Sequence, residues 1–332
     1  MPTTPIGTSE VTAISRRVIL PYITDTIYGS NALWFRLNAA NRRSYQGGTQ
    51  FEVPWMYQKL TNGGAFRGYD VVDISPNESI KNGALEMKEY EVPISIDRRT
   101  LIRMNSPLAI ASELSIRAEQ ARMHLADLLG TDLSRSLGSS GTTDTVDKQI
   151  TGLAAIVDAG GASTQYAGLT RSSNTWINAQ INSSTTALTL TALRSQMSAG
   201  TKGANAPTLI RSRGMQYDRY WSLCMVNQRF MAGQGTSDAM LANAGFKNLV
   251  FDGVPWIVDD KVADGSNTSN SRIEFLNESV IELALIGNTE FDLTEWRRPP
   301  NQPGAMVQFL LWNGEVMCTN PQLQGALTAI VS

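Results

Sequence analysis

The segments QFEVPWMY at 50–57 and YEVPISI at 90–96 decide the fold, because both alternate apolar with other residues over the length of a β-strand. The alternating positions are Phe51, Val53, Trp55 and Tyr57 in the first segment and Tyr90, Val92, Ile94 and Ile96 in the second. A tip rich in glycine and asparagine separates them. The pattern predicts an extended β-hairpin over residues 50–96.

Two prolines limit where these strands can lie. Pro54 and Pro93 fall inside the two runs, and proline cannot donate a ladder hydrogen bond, so we expect the edge strands of a ribbon. A lone two-stranded ribbon is marginal in water and would leave Trp55, Phe66 and Tyr69 poorly covered. The ribbon either packs on its own domain or lies on a neighbouring molecule, and the pattern favours neither.

A long helix follows the hairpin. Ser106 is an N-cap and Pro107 occupies the first helical position. Apolar residues then recur at spacings of three and four, namely Ala111, Leu114, Ala118, Ala121, Leu125 and Leu128. The spacing predicts a spine helix over 106–137, about 48 Å long at the usual rise per residue, provided that Gly130 does not break it. Residues 138–148 are predicted to be a flexible connection.

The rest of the chain is predicted to mix helices and strands. Helices are expected at 189–199 and 215–224, a buried strand at 208–211, and a strand pair at 249–258 that turns at Asp252-Gly253. Residues 273–286 and 305–318 are β-rich, and Asn313-Gly314 has the composition of a hairpin turn.

Composition narrows the function. The chain has 332 residues, of which 42% are hydrophobic and only 17% charged, with a formal net charge of -2. This balance gives no general attraction to nucleic acid or to an anionic membrane. Neither a signal peptide nor an apolar stretch of about 18 residues is present, so we expect no membrane association.

Catalytic and metal sites have no support in the sequence. The single histidine, His124, lies in a helical pattern, and Cys224 and Cys318 are the only cysteines. Gly63, Gly64 and Gly68 lack the spacing of a nucleotide-binding loop, and Asp259-Asp260 is more typical of a solvated pair than of an acid-base pair. We therefore assign no catalytic, cofactor-binding or metal-binding residue, expect no cofactor, and predict that the protein is not an enzyme.

The order of these parts resembles the major capsid protein of tailed bacteriophages. Three segments are similar to one branch of that family: ITGLAAIVD at 150–158, YAGLTRSSNTW at 166–176 and FLLWNGEVMCTNPQLQGALTAI at 309–330. The resemblance implies an α+β tailed-phage major capsid fold with four parts. These are an N-terminal arm (1–49), an extended β-hairpin loop (50–96), a peripheral domain with the spine helix (97–149 and 271–332), and an axial α/β domain (150–270).

The resemblance also implies a function. The chain would be a structural subunit that self-assembles into pentamers and hexamers of an icosahedral shell around double-stranded DNA, located in the virion and assembled in the host cytoplasm. The hairpin would overlap a neighbouring subunit. Residues 1–49 are too few for a scaffolding domain, so a separate scaffolding protein and a portal are implied partners, with a decoration protein as a further candidate. A bacterial nanocompartment shell with the same fold is the alternative, and an α/β enzyme is disfavoured.

Individual residues also acquire roles from the resemblance. In the 166–176 segment, Gly168 would permit a tight turn, Arg171 would pair with a carboxylate and Trp176 would anchor the segment in a core. Some family members cross-link a lysine of the hairpin loop to an asparagine of a neighbour. The hairpin contains Lys59, Lys81 and Lys88, but nothing in the sequence marks a partner asparagine, and no cross-link is predicted.

Paired arginines are the only local basic feature. The pairs are Arg16-Arg17, Arg42-Arg43, Arg98-Arg99 and Arg297-Arg298. They could contact packaged DNA through its phosphates, or form salt bridges between subunits, for which the guanidinium group is well suited. Because a container must release its genome, the second role is favoured, and DNA is expected to be contacted only weakly and non-specifically.

Overall fold

The computed structural model describes residues 32–71, 73–103, 107–135, 148–183, 187–227, 249–262, 271–287, 291–300, 302 and 304–330. The predictions for most of the N-terminal arm, for the Ser106 cap and for Arg16-Arg17 lie outside these residues, as does the connection predicted at 138–148 apart from Lys148. Within them, helices and strands form an α+β fold, as predicted, and the chain divides into two compact units.

The helices and strands have the following bounds. The helices are α1 (Ala32–Ala40), α2 (Arg98–Arg103), α3 (Pro107–Arg135), α4 (Leu153–Ile156), α5 (Leu190–Gly200) and α6 (Gly214–Asn227). The strands before α5 are β1 (Arg42–Tyr45), β2 (Gln50–Met56), β3 (Ile80–Glu86), β4 (Lys88–Asp97), β5 (Gln165–Tyr166), β6 (Leu169–Thr170) and β7 (Gln180–Ser183). The later strands are β8 (Leu209–Ser212), β9 (Leu249–Phe251), β10 (Val254–Val258), β11 (Ser271–Leu276), β12 (Ile281–Ile286), β13 (Asp292–Leu293), β14 (Ala305–Cys318) and β15 (Gly325–Ile330).

The smaller unit contains residues 90–127 and 291–312 among those described. In it, the first half of β14 pairs with β4 and with β13, where Leu293 lies opposite Leu310. Tyr90 and Trp312 meet edge to face at 5.8 Å between ring centroids. Val92, Ile94 and Ile96, at alternate positions of β4, are buried.

The larger unit is built on a six-stranded sheet with the strand order β7-β15-β11-β8-β10-β9. Helices α5 and α6 pack against this sheet, and their apolar side chains join those of the strands in one core cluster. At its centre the rings of Tyr220 and Trp256 stack at 4.6 Å. Residues 271–332, which the sequence groups with the peripheral domain, supply β11 and β15 to the middle of this sheet.

A buried ionic network lies on the opposite face of the same sheet. Alternate residues of a strand point to opposite faces, so Ile210 joins the core cluster while Arg211 points away from it. Arg211 is fully buried and reaches Glu274 at 2.7 Å and Asp259 at 3.1 Å. It also donates to the hydroxyl of Ser134, near the C-terminus of α3, at 2.9 Å. This half of the spine helix is thus attached to the sheet by a charged group.

The spine helix forms as predicted and runs through Gly130 without a break. Its 29 residues span about 43 Å at the standard rise. Of the predicted apolar stripe, Ala121 and Leu125 are buried, whereas Leu114, Ala118 and Leu128 are only partly buried. Leu129 and Leu133, which lie outside the predicted stripe, are fully buried. Both compact units contain part of this helix.

The predicted pairing of the hairpin strands is wrong. The strand β2 pairs with β3, from Gln50 opposite Glu86 to Met56 opposite Ile80, whereas β4 pairs with β14. The hairpin is therefore shorter than 50–96, and its second strand ends at residue 86. The second strand of the hairpin, β3, has the sequence IKNGALE. The asparagine and glycine at its centre interrupt the alternation of apolar and polar residues by which a strand is predicted.

The predicted turn at Asn313-Gly314 is also wrong, whereas the turn at Asp252-Gly253 is confirmed. Asp252 and Gly253 have φ of 52° and 81°, as a two-residue hairpin turn requires. Asn313 and Gly314 have no positive φ and lie inside the continuous strand β14. Gly314 pairs with Leu285, and the next four residues continue the ladder with β12, so the strand stays extended.

The predicted division into peripheral and axial domains stays a prediction, because it is defined by position in a shell. The two compact units do not follow those borders: residues 128–290 and 313–332 belong to the same unit as the hairpin strands β2 and β3.

The buried network generates a stability prediction. We expect Arg211→Met to lower the free energy of unfolding by about 3–5 kcal/mol, because the buried Asp259 would lose its ion-pair partner and Glu274 would keep only Arg272, at 3.0 Å. The matched control is Arg194→Met, which removes the exposed pair with Asp252 and should cost no more than about 1 kcal/mol. Urea unfolding followed by tryptophan fluorescence measures both. Equal losses in the two variants would contradict the role given to the buried network.

Candidate functional site

The hairpin tip, residues 57–79, is the most exposed apolar surface among the described residues. Apolar side chains there and at the adjoining strand ends are largely in solvent: Met56, Leu60, Phe66, Tyr69, Val71, Ile74 and Ile80. Tyr69 and Val71 are 104% and 98% exposed, so their own chain gives them essentially no cover. Large contiguous apolar surface of this kind marks an interaction site in a soluble protein.

Polar side chains hold the two sides of the tip together beyond the strand ladder. The Tyr57 hydroxyl donates to the carbonyl of Glu78 at 2.9 Å, and the Asn77 amide donates to the hydroxyl of Thr61 at 2.8 Å. The Asn62 amide donates to the carbonyl of Ser75. Side chains thus replace the backbone ladder, and the tip remains a paired ribbon.

The base of the hairpin, in contrast, is packed on its own unit. Phe51, Val53 and Trp55 of β2 and Leu85 of β3 are buried. The Trp55 indole N–H donates to the carbonyl of Thr319 at 2.6 Å. The expectation that Trp55 is poorly covered is therefore wrong, whereas Phe66 and Tyr69 are exposed as predicted.

The loop at 166–176 receives the hairpin base. Ala167 and Gly168 have φ of 50° and 74° and form the two-residue turn between β5 and β6, which confirms the tight turn expected at Gly168. The Ala167 carbonyl accepts a hydrogen bond from the backbone N–H of Ala84 at 3.0 Å. Trp176 contacts Trp55 edge to face at 5.6 Å and stacks on Tyr57 at 5.9 Å.

Lys81 completes this contact. Its ammonium group lies 4.8 Å from the centroid of the Tyr57 ring and donates to the side-chain oxygen of Asn174 at 3.2 Å. Sequence reasoning considered Lys81 only as a cross-linking residue and identified no partner asparagine. The structure places Asn174 of the same chain beside it.

Arg171 has a different role from the one expected. Its buried guanidinium donates to the carbonyls of Asp158 at 2.8 Å, of Ile177 at 2.9 Å and of Ala155. The Asp158 carboxylate instead accepts backbone N–H groups, including that of Ser163 at 2.8 Å. Burial lowers the pKa of the Arg171 guanidinium, and the negative charge of Asp158 opposes that shift. Arg171 thus fixes the loop through carbonyl oxygens, not through a carboxylate pair.

A buried carboxyl group, Glu315, lies behind the hairpin base. One of its oxygens accepts the backbone N–H groups of Thr151 at 2.6 Å and Val316 at 2.8 Å. Burial raises the pKa of Glu315 to about 8, although these hydrogen bonds and the charge of Lys88 favour the ionised form. The side chain of Lys88 is 6% exposed and pairs with Glu86 at 3.7 Å. The raised pKa favours the neutral form of Glu315.

The described residues offer no metal centre and no membrane segment. They contain no group of three or more histidine, cysteine, aspartate or glutamate side chains placed to hold a metal ion. In the same part of the chain, no helix is long and apolar enough to cross a membrane. Asp259 binds Arg211, and burial raises the pKa of the Cys318 thiol to about 12, so neither is poised for catalysis.

The fold matches known shell proteins over nearly the whole chain. The cyanophage A-1(L) capsid asymmetric unit aligns with a TM-score of 0.68 at 14% sequence identity, over 97% of this chain and 99% of that chain. The capsid of the native GTA particle gives 0.60 at 15% identity, over 98% and 99%. The holo-SrpI encapsulin complex from Synechococcus elongatus PCC 7942 gives 0.57 at 12% identity, over 99% and 97%.

Sequence comparison alone finds no relative: neither a family model nor a curated protein matches the chain. The structural matches nevertheless establish the fold, which is that of the major capsid proteins of tailed phages. The fold class predicted from the sequence is confirmed.

Glu315 generates a prediction about pH. Between its ordinary pKa of 4.5 and its folded-state value of about 8, the folded chain holds a proton that the unfolded chain has lost. The free energy of unfolding should therefore fall as pH rises through that window, with a limiting slope of about 1.4 kcal/mol per pH unit. Glu315→Gln cannot titrate but keeps the acceptor oxygen, so we expect it to remove this slope.

Urea unfolding at a series of pH values measures the effect. The control is Glu278→Gln, which removes a carboxylate paired with Arg36 at 2.8 Å and should leave the slope unchanged in the upper part of the window. A Glu315→Gln protein with the wild-type slope would show that another group titrates.

Proposed function

We propose that the chain is a major capsid subunit that self-assembles into pentamers and hexamers of an icosahedral shell around double-stranded DNA. Two independent observations support this function. The fold matches capsid structures over 97% or more of the chain, and the hairpin tip exposes apolar side chains that its own subunit leaves uncovered.

The exposed hairpin tip is the main observation that supports this function. Phe66, Tyr69, Val71 and Ile74 are each at least 72% exposed, on a ribbon whose base is well packed. Covering apolar surface is favourable by about 25 cal/mol per Å², so a partner surface for these side chains would stabilise an assembly. A second copy of the same chain is the partner that a closed symmetric shell supplies.

The other partners follow from this function. A separate scaffolding protein and a portal would direct assembly in the host cytoplasm, a decoration protein is a further candidate on the outer surface, and the finished protein would reside in the virion. The chain would act as a structural protein and not as an enzyme, which its likeness to capsid structures supports.

A nanocompartment shell is the second candidate, and the encapsulin match favours it specifically. The two functions differ in what the shell encloses. A capsid holds DNA that resists added nuclease, whereas a nanocompartment holds a co-purifying cargo protein.

Sedimentation and negative-stain electron microscopy of the protein, produced with its scaffolding protein, test whether shells form. Nuclease digestion followed by gel analysis of the shell contents distinguishes a capsid from a nanocompartment. A protein that stays monomeric or dimeric under these conditions would rule out both.

Replacing the tip should abolish assembly and spare the subunit. Asn62 is hydrogen-bonded to Ser75, so two glycines can replace Gly63–Ile74 and close the ribbon with little strain. We expect no closed shells but a subunit with an unfolding midpoint close to that of wild type, because all the removed residues that the structure describes are exposed. Circular dichroism and electron microscopy provide the two measurements. The deletion spares Lys81, which the structure places at the hairpin base.

A variant with an intact backbone serves as the matched control. Substituting serine at Phe66, Tyr69 and Ile74 keeps the length of the tip and removes its apolar groups, so it should also impair assembly. If the glycine replacement unfolds the subunit, or if the serine variant forms normal shells, the tip is not the assembly surface.

The arginine pairs bear on contacts with DNA. Arg43 pairs with Glu282 of its own chain at 3.1 Å. Among the described residues, Arg98, Arg99, Arg297 and Arg298 are exposed and make no ion pair, so they remain available for a neighbouring subunit or for phosphates. Salt bridges between subunits are the proposed role.

Charge reversal distinguishes the two roles. We expect the isolated subunit to bind duplex DNA weakly at physiological salt, and Arg98→Glu or Arg297→Glu to reduce shell yield severalfold. The control Arg194→Glu makes the same change in charge at an exposed arginine that already pairs with Asp252. Gel shift and shell yield are the measurements. Tight DNA binding with unchanged shell yield would assign these arginines to the DNA-facing surface.

A further inference from the structure

We propose that Lys81, Asn174, Tyr57 and Trp176 form a clamp that fixes the direction of the hairpin tip relative to the body of the subunit. We call these four residues the hairpin clamp. The clamp is a property of the single chain. Its effect on the geometry of a shell rests on the proposed function.

The backbone that leads into the hairpin does little to fix its direction. The chain reaches β2 through Gly47 and Gly48, whose φ values are 75° and 117°. A side chain at Gly47 would meet no atom within 4 Å, so this approach is not packed against the body. Both values of φ favour glycine, which is the least restrained residue. Contacts farther along the ribbon therefore set its direction. The packed base fixes the strands as far as Trp55, and beyond it, among the described residues, only contacts at Tyr57 and Lys81 can hold the tip to the body.

The clamp lies where the ribbon leaves the body. The last strand pair is Met56 opposite Ile80, and Tyr57 is the first residue beyond it, with its N–H bonded to the Ser79 carbonyl at 3.0 Å. The Tyr57 ring stacks on Trp176 with an angle of 29° between the ring planes. The ammonium group of Lys81 lies over the same ring and is bonded to Asn174. Each side of the ribbon thus contributes one clamp residue.

The body provides a rigid half for this contact. Asn174 is 6% exposed, and its side-chain amide N–H donates to the Thr170 carbonyl at 2.9 Å. This bond within the body orients the side-chain oxygen of Asn174 toward Lys81. Trp176 lies in a single 3-10 turn next to the fully buried Ile177. Preorganised groups lose little entropy when they bind, which makes such a site effective at fixing a direction.

A small change at the clamp is amplified along the tip. Ten extended residues reach about 33 Å. A rotation of about 10° at Tyr57 would therefore move Phe66 and its neighbours by roughly 5 Å, about one strand spacing. The apolar groups of the tip would then miss the surface that they cover, although the subunit core would be unchanged.

Distance measurements on the isolated subunit test the clamp. Spin labels at Ala65→Cys on the tip and Ser172→Cys on the body, in a Cys224→Ser background, report the direction of the tip. Ala65 and Ser172 are exposed, and the buried Cys318 is protected from labelling. We expect one narrow distance distribution with Lys81 present, and a broadened or shifted distribution with Lys81→Met, which keeps the aliphatic chain but loses the charge and the donor.

Two further variants make the test specific. Lys81→Arg retains a cation and a donor and should restore much of the narrow distribution. Lys59→Met removes an exposed lysine of the tip that lies outside the clamp and should have no effect. All three proteins should unfold within a small interval of the wild-type midpoint. Identical distance distributions in Lys81→Met and wild type would overturn the proposal.

The isolated subunit also separates this proposal from the proposed function. If wild type forms no shells, the shell function fails, while the distance measurement still decides whether the clamp exists. If shells form, Lys81→Met should give particles of mixed diameter or open sheets in electron micrographs. Uniform shells of wild-type diameter, despite a broadened distance distribution, would overturn the link between the clamp and shell geometry.

Discussion

The contact between Trp55 and Gly83 is the constraint on which the hairpin depends. A side chain at Gly83 would come within 2.2 Å of the Trp55 ring and 2.9 Å of Ala167. Only glycine lets the ribbon lie this close to the 166–176 loop, and only then does the Trp55 indole reach Thr319. One small residue thus joins the hairpin, the loop and the C-terminal segment, which are far apart in the sequence.

That constraint divides the hairpin into two halves with opposite solvation. Up to Trp55 the inner face is buried, whereas the described apolar residues from Leu60 to Ile74 are exposed to water. The change occurs over a few residues at the hairpin clamp. A firmly packed base and an uncovered tip are what a subunit needs if its own fold is to be complete before assembly while its contact surface stays available.

Strand alternation and helix spacing predicted β2, β4 and the spine helix, because burial on one face leaves a period in the sequence. The partner of β2 could not be predicted in this way. The run at 90–96 has the stronger pattern, but register and pairing depend on the fit of Trp55 over Gly83, which is a three-dimensional property. Local turn composition failed at Asn313-Gly314 because pairing with β12 holds the strand extended. The contact between Lys81 and Asn174 could not be predicted from the sequence, since neither residue lies in a recognisable motif.

An exposed apolar ribbon favours non-specific association in water. The tip reduces that tendency through its own sequence: exposed charges at Lys59, Arg67, Asp70 and Asp73 alternate with the apolar groups. Interspersed charges oppose indiscriminate strand pairing, and the side-chain bonds between Asn62, Thr61 and Asn77 occupy groups that would otherwise recruit another chain. A surface that carries both signs of charge accepts a partner only where each charge meets its opposite. If the chain assembles as proposed, the charged residues that oppose non-specific pairing are therefore the same ones that would select the correct neighbour.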